Sequence, residues 1–457
     1  MPKETIPHQV GQLLLAFGIG LFLFLGIVLE SNTIVSMSDF KGVYYGAQCA
    51  LNHCDPYKEA ELTRFYESRG GGGPNELTVL RRTVTLYVNL PTGLLFMLPF
   101  AILPWGPAHF LWMAVIGFGF SLAATLMWKL GARHAPIASG FLVLLFLLGS
   151  ELLIEVSNTA GVVVSFCVIA VWCFLEERFV VAGIVLLAFS LAFKPHDGGL
   201  VWLFFLLKGG VYRKRALQTL LATVLIGLPG IAFMTYASPN WLPEMRANLA
   251  EISAHGGPND EGPATIQPHS HSSSVTDLQS AVSVFKDDAR FFKPVSYLMI
   301  APLVIWWGVA TVRTRPSRAT TWLAIASISA LLLLPIYHRQ YDTRLLVLTI
   351  PACALLWAEG GIVGWLAVLL TAAGAVLTGD TPLFILGFFV GKLHLSTSTL
   401  GGQVLTVLLD RPAPVFTFLM AVFYLWAYLR RCSAEATAIS AEAHGKAANL
   451  ELQGSET

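Results

Sequence analysis

The sequence predicts an all-α polytopic membrane protein, and three observations support that fold class. Hydrophobic residues make up 55% of the 457 residues and charged residues only 12%, which is far from the balance of a soluble domain. The mean hydropathy is +0.65. Most apolar residues occur in runs suited to membrane helices, so we expect a bundle of about 12 transmembrane helices.

The apolar runs are often shorter than the roughly 20 residues that a bilayer crossing requires. Short runs fit tilted helices that are surrounded by protein. The first run has no small-residue cleavage site after Glu30, which indicates a retained helix rather than a removed signal peptide. The runs lie near 10–30, 90–104, 107–128, 136–150, 160–175, 179–193, 198–208, 216–236, 295–312, 320–337, 343–358, 361–377 and 413–429.

The positions of basic residues predict the orientation, because Lys and Arg collect on the cytoplasmic side of membrane helices. This rule makes both ends of the chain cytoplasmic, including Lys3, and leaves large outer loops at 31–89, 238–294 and 378–412. The basic clusters are Lys129 and Arg133; Lys208, Arg213, Lys214 and Arg215; Arg313, Arg315 and Arg318; and Arg430 and Arg431.

Two cytoplasmic ends require an even number of crossings, so one apolar run cannot span. Run 90–104 is the weakest, because it is short and three prolines interrupt it; we expect a re-entrant or partly inserted segment. Residues 1–432 then form one transmembrane domain. The tail 433–457 is rich in Ala, Glu and Ser and is expected to be cytoplasmic and disordered or weakly helical.

The net charge does not indicate a nucleic-acid partner. The 29 Lys and Arg nearly balance the 28 Asp and Glu, which gives no reason to expect nucleic acid. The positions of the ionisable residues are more informative, because such residues at the ends of membrane helices are costly unless they pair or have a function. They occur on the predicted outer face in segments 38–47, 155–159, 193–197 and 337–344, with the Pro-containing segment 89–96 beside them.

In this order, the five segments resemble the polyprenol-phosphate-sugar-dependent glycosyltransferases of the GT-C superfamily, most closely glycosyltransferase family 87. Residues 39–47 resemble the family's acidic residue followed by paired tyrosines, and residues 89–92 resemble its Tyr-Pro-Pro-Leu-type segment. Residues 155–158 resemble the family's Gly-Gln-x-Asn, and residues 194–195 its Lys-Pro. Residues 338–344 resemble its late His with basic neighbours. The chain departs from the family in having one proline, Pro91, and Glu155-Val156 in place of Gly-Gln.

The resemblance implies an inverting transferase at the outer side of the plasma membrane. It would move a hexose, with mannose as the first expectation, from a polyprenyl-phosphate donor to a lipid or glycan acceptor hydroxyl. Asp39 would be the general base; its local alternative is a helix N-cap. Glu151 and Glu155 are alternative bases on the same face.

Phosphate binding would use cations, with Arg339 and Arg344 as bidentate donors, Lys194 as a point charge and His338 as a further donor. Interfacial snorkelling is the alternative for the cations, and simple hydrogen bonding for the histidine. The remaining substrate-binding candidates are Tyr44, Tyr45, Glu155, Asn158, His196 and Tyr341.

Neither a cofactor nor a metal is expected. Phosphate-loop and dinucleotide fingerprints are absent from the sequence, and His255, His269 and His271 lie in a Gly- and Pro-containing loop without a recognisable ligand spacing. Cys49 and Cys54 can form a disulfide around a turn in an oxidising compartment, or remain free thiols.

Two other functions remain open. A transporter or flippase of lipid-linked sugars would need polar groups near the bilayer midplane and broken helices, whereas the charges here collect at one face. A lipid-linked oligosaccharide polymerase or ligase would also place Arg and His at an outer phosphate site. The expected partners are the lipid-phosphate donor, the acceptor and membrane lipids.

Overall fold

The computed structural model describes residues 6–33, 36–72, 78–257, 259–262, 275–314, 317–390 and 398–454. Regular structure in these ranges is helical, and the only extended pairing described there is an isolated bridge between Val275 and Arg339. Lys3, Arg315, His269 and His271 lie outside the described residues.

The described residues in the first half of the chain form twelve α-helices and a short 3₁₀ segment, Pro91–Gly93. The helices are α1 Ile6–Asn32, α2 Ser38–Leu51, α3 Glu59–Ser68, α4 Thr78–Thr85, α5 Leu94–Ala101, α6 Trp105–Gly131, α7 Pro136–Leu148, α8 Leu152–Glu155, α9 Ala160–Leu175, α10 Val180–Phe193, α11 Pro195–Lys208 and α12 Gly210–Ala237.

The second half adds a longer 3₁₀ segment, Asp342–Thr349, between two of its helices. The helices are α13 Trp241–Ile252, α14 Leu278–Val282, α15 Ala289–Arg313, α16 Arg318–Leu331, α17 Ile350–Glu359, α18 Gly361–Leu377, α19 Asp380–Val390, α20 Leu400–Asp410 and α21 Pro412–Gly454. The tail after 432 therefore continues α21 as far as Gly454.

Six helical stretches in the described ranges are long and apolar enough to cross a membrane: α1, α6, α7 continued through α8, α12, α15 and the first part of α21. Other apolar runs form helices of 10–17 residues, among them α9, α10 and α18. The prediction of an all-α membrane protein is confirmed at this level. Helix length does not confirm about 12 crossings.

Close helix packing shows how the first span is held. A Cβ atom added at Gly11 of α1 would lie 2.5 Å from the carbonyl oxygen of Pro136, and one added at Gly140 of α7 would lie 2.7 Å from the Gly11 carbonyl oxygen. Side chains at these positions would force the helices apart, so the small residues permit the backbone contact that is common between membrane helices.

Exposure separates lipid-facing helices from central ones. Leu13 of α1, Leu225 of α12 and Leu298 of α15 expose most of their side chains, and extensive apolar exposure of this kind suits lipid rather than water. In contrast, α9 and α16 are buried on almost every side. The bundle therefore has a protein-enclosed centre and apolar outer helices.

The first predicted outer loop folds as helices α2, α3 and α4, which are joined to the loop after α12. Asn248 of α13 donates hydrogen bonds to the carbonyl oxygens of Tyr57 (2.9 Å) and Tyr87 (3.0 Å). The Ser238 hydroxyl donates to Asp55. The Cys49–Cys54 disulfide is present, with a Cα–Cα distance of 5.0 Å.

Two stretches differ from the sequence-based prediction. The predicted loop 378–412 contains α19 and α20, whose apolar segments are too short for the crossing-length criterion. The predicted helical run 343–358 is divided into the 3₁₀ segment Asp342–Thr349 and α17. Pro351 lies in the first turn of α17, where proline is tolerated because the first turn needs no backbone donor.

Candidate functional site

Polar side chains from four separate segments meet at one end of the helix bundle. The segments are the start of α2, the turn between α8 and α9, the junction of α10 and α11, and the turn formed by residues 337–342 after α16. Hydrogen bonds, ion pairs and electrostatic contacts connect them, as described below. The segments predicted to share one face are therefore close together in the structure.

Asp39 is oriented by the turn before α9. Its backbone N–H donates to the carbonyl oxygen of Val156 (3.1 Å), and its Oδ2 accepts a 2.6 Å hydrogen bond from Asn158 Nδ2. Asn158 Oδ1 accepts in turn from the backbone N–H of Ala160 (2.7 Å). The helix-cap alternative for Asp39 is wrong, because Met37 is the N-cap residue of α2.

The Asp39 carboxyl is half-buried, and its surroundings act on its pKa in opposite directions. Burial raises the pKa of Asp39 above its ordinary value, while the Asn158 hydrogen bond and the positive charges of Arg339 and Lys194 oppose the increase. A carboxylate with a raised pKa is a stronger proton acceptor. Arg339 and Lys194 are therefore close enough to act on Asp39 electrostatically.

Lys194 links two of the segments. Phe193 ends α10, Pro195 begins α11, and Lys194 lies between them. Its Nζ is 2.5 Å from Asp342 Oδ1 and 3.4 Å from Asp197 Oδ2, and it lies 5.2 Å from the centre of the Tyr341 ring. Two carboxylates therefore compensate this largely buried charge.

The turn at 337–342 is held by its own aspartate. Asp342 Oδ2 accepts from the backbone N–H of Arg339 (2.9 Å), as in other turns closed by an aspartate side chain. The Arg339 side chain is half-buried and donates to the Tyr337 hydroxyl. The Arg339 charge also interacts electrostatically with Asp39.

Two histidines complete the cluster. The rings of His196 and His338 lie 5.2 Å apart at an angle of 65°. Their Nε2 atoms are 3.4 Å and 3.5 Å from Asp197 Oδ1, respectively. Seven of the predicted site residues are thus brought together: Asp39, Asn158, Lys194, His196, His338, Arg339 and Tyr341.

Tyr44 and Tyr45 instead pack α2 against the neighbouring helices. The Tyr44 hydroxyl donates to the carbonyl oxygen of Leu103 (2.9 Å), and the Tyr45 ring is stacked on Trp105 at 5.9 Å. Both tyrosines are buried. The structure therefore gives the tyrosine pair a packing role, and a substrate contact by these residues stays a prediction.

Arg344 also differs from the prediction of a phosphate ligand. It is 1% exposed, and its guanidinium donates to the carbonyl oxygen of Phe146 (3.3 Å), to Thr378 Oγ1 (2.7 Å) and to the Thr378 carbonyl oxygen. These contacts join the ends of α7 and α18. We therefore assign Arg344 a structural role, because its two terminal guanidinium nitrogens donate to protein oxygens.

Glu155 contributes mainly through its backbone. Its carbonyl oxygen accepts a 2.8 Å hydrogen bond from the N–H of Met37, which positions the start of α2. Its side chain is half-buried. Glu155 therefore supports the segment that carries Asp39.

Two acidic residues of the cluster, Asp197 and Asp342, were not among the predicted site residues. Both lie within segments selected for their basic residues, and both are 2% exposed or less. The sequence contained one signal, because Asp197 follows Lys194 by three residues at a helix start, a spacing that permits side-chain pairing. Asp342 is 148 residues from Lys194, and no local pattern links them.

The fold and composition define an all-α membrane protein with a buried polar cluster at its helix ends. Comparison of the chain with protein-family models, curated proteins and solved structures found no match.

Proposed function

We propose that the chain is an inverting glycosyltransferase that moves a hexose from a polyprenyl-phosphate donor to an acceptor hydroxyl. One observation carries the proposal: the Asp39 carboxylate, oriented by Asn158, interacts electrostatically with the cations Arg339 and Lys194. This arrangement pairs a proton acceptor with positive charge, which are the two requirements of the reaction.

In the proposed step, Asp39 accepts the proton of the acceptor hydroxyl as its oxygen attacks the anomeric carbon. The bond between that carbon and the phosphate oxygen breaks, and its electron pair remains on the phosphate. Arg339 and Lys194 stabilise the negative charge of the leaving phosphate through charge-assisted hydrogen bonds. Attack opposite the leaving group inverts the anomeric configuration.

The proposed topology has about 12 crossings in a GT-C-like bundle, with the shorter helices crossing alongside the six long stretches and the cluster on the outer side of the plasma membrane. Two observations support this orientation. Lys129 and Arg313 lie at the ends of α6 and α15, and α6 begins at Trp105, which stacks on Tyr45 of α2, the helix that carries Asp39. The Cys49–Cys54 disulfide lies in the same outer part and is typical of an oxidising compartment.

A transporter or flippase fits less well, because the polar cluster lies at helix ends, whereas transport sites lie near the bilayer midplane. A polymerase or ligase acting on lipid-linked oligosaccharides would use similar phosphate contacts. The two enzyme classes differ in donor: a monophosphate-linked monosaccharide for the proposed transferase, and a pyrophosphate-linked oligosaccharide for the polymerase or ligase.

The test is a donor panel. Purified protein in nanodiscs is incubated with radiolabelled polyprenyl-monophosphate sugars, pyrophosphate-linked oligosaccharides and a membrane lipid extract as acceptor source. We expect transfer from one monophosphate donor, first tested with mannose, and inverted linkage in the product. Transfer from pyrophosphate donors alone, or from no donor at all, would contradict the proposal.

A further inference from the structure

Three side chains of the cluster point ligand atoms at one another. The Nε2 atoms of His196 and His338 lie 3.4 Å and 3.5 Å from Asp197 Oδ1, and the ligand atoms of the three residues all lie within 4.8 Å of one another. A tetrahedral zinc ion with bonds of about 2.0–2.1 Å separates its ligand atoms by about 3.3–3.4 Å. The distances from Asp197 Oδ1 to the two histidine nitrogens are close to that separation.

The orientation of His338 favours a ligand role. Its Nδ1 lies 2.9 Å from the carbonyl oxygen of Ile336, so Nδ1 carries a proton and donates to that acceptor. The other nitrogen, Nε2, then has its lone pair directed at Asp197. A carbonyl that accepts from one ring nitrogen while the other faces the ion is the usual arrangement for metal-bound histidine.

Two of the ligand atoms lack hydrogen-bond partners among the described residues. His338 Nε2 and Asp197 Oδ1 are buried and unpartnered there, and their 3.5 Å separation is longer than an ordinary N–H···O hydrogen bond. Buried polar atoms without partners are unfavourable. A cation between the two atoms would satisfy both at once.

We propose that His196, Asp197 and His338 bind a divalent transition-metal ion, with Zn²⁺ as the preferred ion. Two imidazole nitrogens and one carboxylate oxygen are typical zinc ligands, whereas Mg²⁺ and Ca²⁺ prefer oxygen ligands. Lys194 contacts the other carboxylate oxygen, Oδ2, at 3.4 Å and holds Asp197 in place.

The site is open on one side. The side chain of His196 is 33% exposed, whereas those of His338 and Asp197 are 0% and 2% exposed. Three protein ligands and an accessible fourth position are typical of catalytic rather than structural zinc sites. The metal-binding proposal does not depend on the proposed transferase activity; a contribution of the ion to phosphate binding would depend on it.

The test uses full-length purified protein and the metal alone. The protein is stripped with chelator and dialysed against Zn²⁺, and its metal content is measured by mass spectrometry. Co²⁺ is then added as a spectroscopic substitute. We expect about one Zn²⁺ per chain and visible Co²⁺ absorption bands, as a single site of nitrogen and oxygen ligands requires.

The decisive variant is His196→Asn, because this partly exposed ligand can be replaced without disturbing the core. Zn²⁺ affinity should fall at least about 100-fold. Loss of a residue that only hydrogen-bonds to a metal ligand can lower affinity by about that factor, and loss of a direct ligand should have an equal or larger effect. His134→Asn, at an exposed histidine outside the cluster, is the matched control and should bind as wild type. Absence of bound Zn²⁺ in wild type, or equal affinity in His196→Asn, would overturn the proposal whatever the donor panel shows.

Discussion

The side-chain amide of Asn158 donates a 2.6 Å hydrogen bond to Asp39 Oδ2, joining residues 119 positions apart. This contact connects the start of α2 to the turn before α9 and orients the carboxylate that the proposed reaction requires. The same carboxylate interacts electrostatically with Arg339 and Lys194. The predictions below test these relationships separately.

Asn158→Leu should move the acidic limb of the turnover profile to higher pH. Asp39 accepts a proton only when it is deprotonated, and the Asn158 hydrogen bond favours that charged form. Its loss raises the pKa of Asp39 further, so activity disappears at a higher pH as the solution is acidified. A hydrogen bond to a charged group contributes about 1.5–3 kcal/mol, which predicts at least about tenfold lower turnover on that acidic limb.

The measurement is kcat/KM against pH. Ser38→Ala serves as the control, because its hydroxyl contact with Asp39 is long, at 3.4 Å, and its removal should leave the profile nearly unchanged. An unshifted acidic limb in a folded Asn158→Leu protein would show that this amide does not act on the base.

The buried Lys194–Asp342 pair should be strongly coupled. Removing one partner leaves a buried charge without compensation, so Lys194→Met and Asp342→Leu should each destabilise the protein by about 3–5 kcal/mol, and the double variant by less than their sum. Equilibrium unfolding in mixed micelles measures the cycle. Arg133→Ala is the control, because it removes a more exposed ion pair with Glu176 and should lower the free energy of unfolding by at most about 1 kcal/mol. Additive effects of the Lys194 and Asp342 substitutions would contradict the coupling.

Arg339→Ala and Arg344→Ala should have different effects. Arg339 faces Asp39, so its loss should raise the donor KM by about tenfold or more, as expected for a hydrogen bond to a charged group. Arg344 satisfies buried oxygens of Phe146 and Thr378, so its loss should lower thermal stability and leave the donor KM of the folded protein unchanged. An equal KM increase in both variants would return Arg344 to the phosphate site.

The Cys49–Cys54 disulfide should modestly stabilise α2 and the turn that follows it. It closes a short loop, and chain entropy then predicts about 2 kcal/mol of stabilisation. The chain has six cysteines, so subtracting the two in the disulfide leaves four to be alkylated in denatured, unreduced protein. Unfolding of the Cys49→Ser/Cys54→Ser double variant measures the loss of stability, with Cys432→Ser as control. Alkylation of all six cysteines in unreduced protein would contradict the disulfide.

The sequence predicted the central helices well because a membrane helix needs a continuous apolar run. Run 160–175 coincides with α9, and run 136–150 covers α7. In contrast, α2, α3 and α13 mix polar and apolar residues, and their positions depend on contacts between distant loops, such as Asn248 with Tyr57. Local composition does not encode such contacts.

For the site, the sequence predicted which segments meet but not every side chain that takes part. Arg339 and Arg344 are five residues apart and look alike in the sequence, yet one faces Asp39 and the other joins α7 to α18. The direction of each side chain depends on the turn and the 3₁₀ segment that begins at Asp342, which hydropathy does not reveal. Asp342 acquires its role from a contact with Lys194 across 148 residues.

The most direct test of the account is Asp39→Asn, which preserves the shape of the side chain and removes the proton acceptor. General-base assistance contributes about 10²–10⁴-fold, while phosphate contacts depend on Arg339 and Lys194. Donor affinity and turnover are measured for wild type and variant in the same nanodisc preparation. We expect near-normal donor affinity with turnover reduced by at least about 100-fold; near-normal turnover in correctly folded Asp39→Asn protein would rule out Asp39 as the general base.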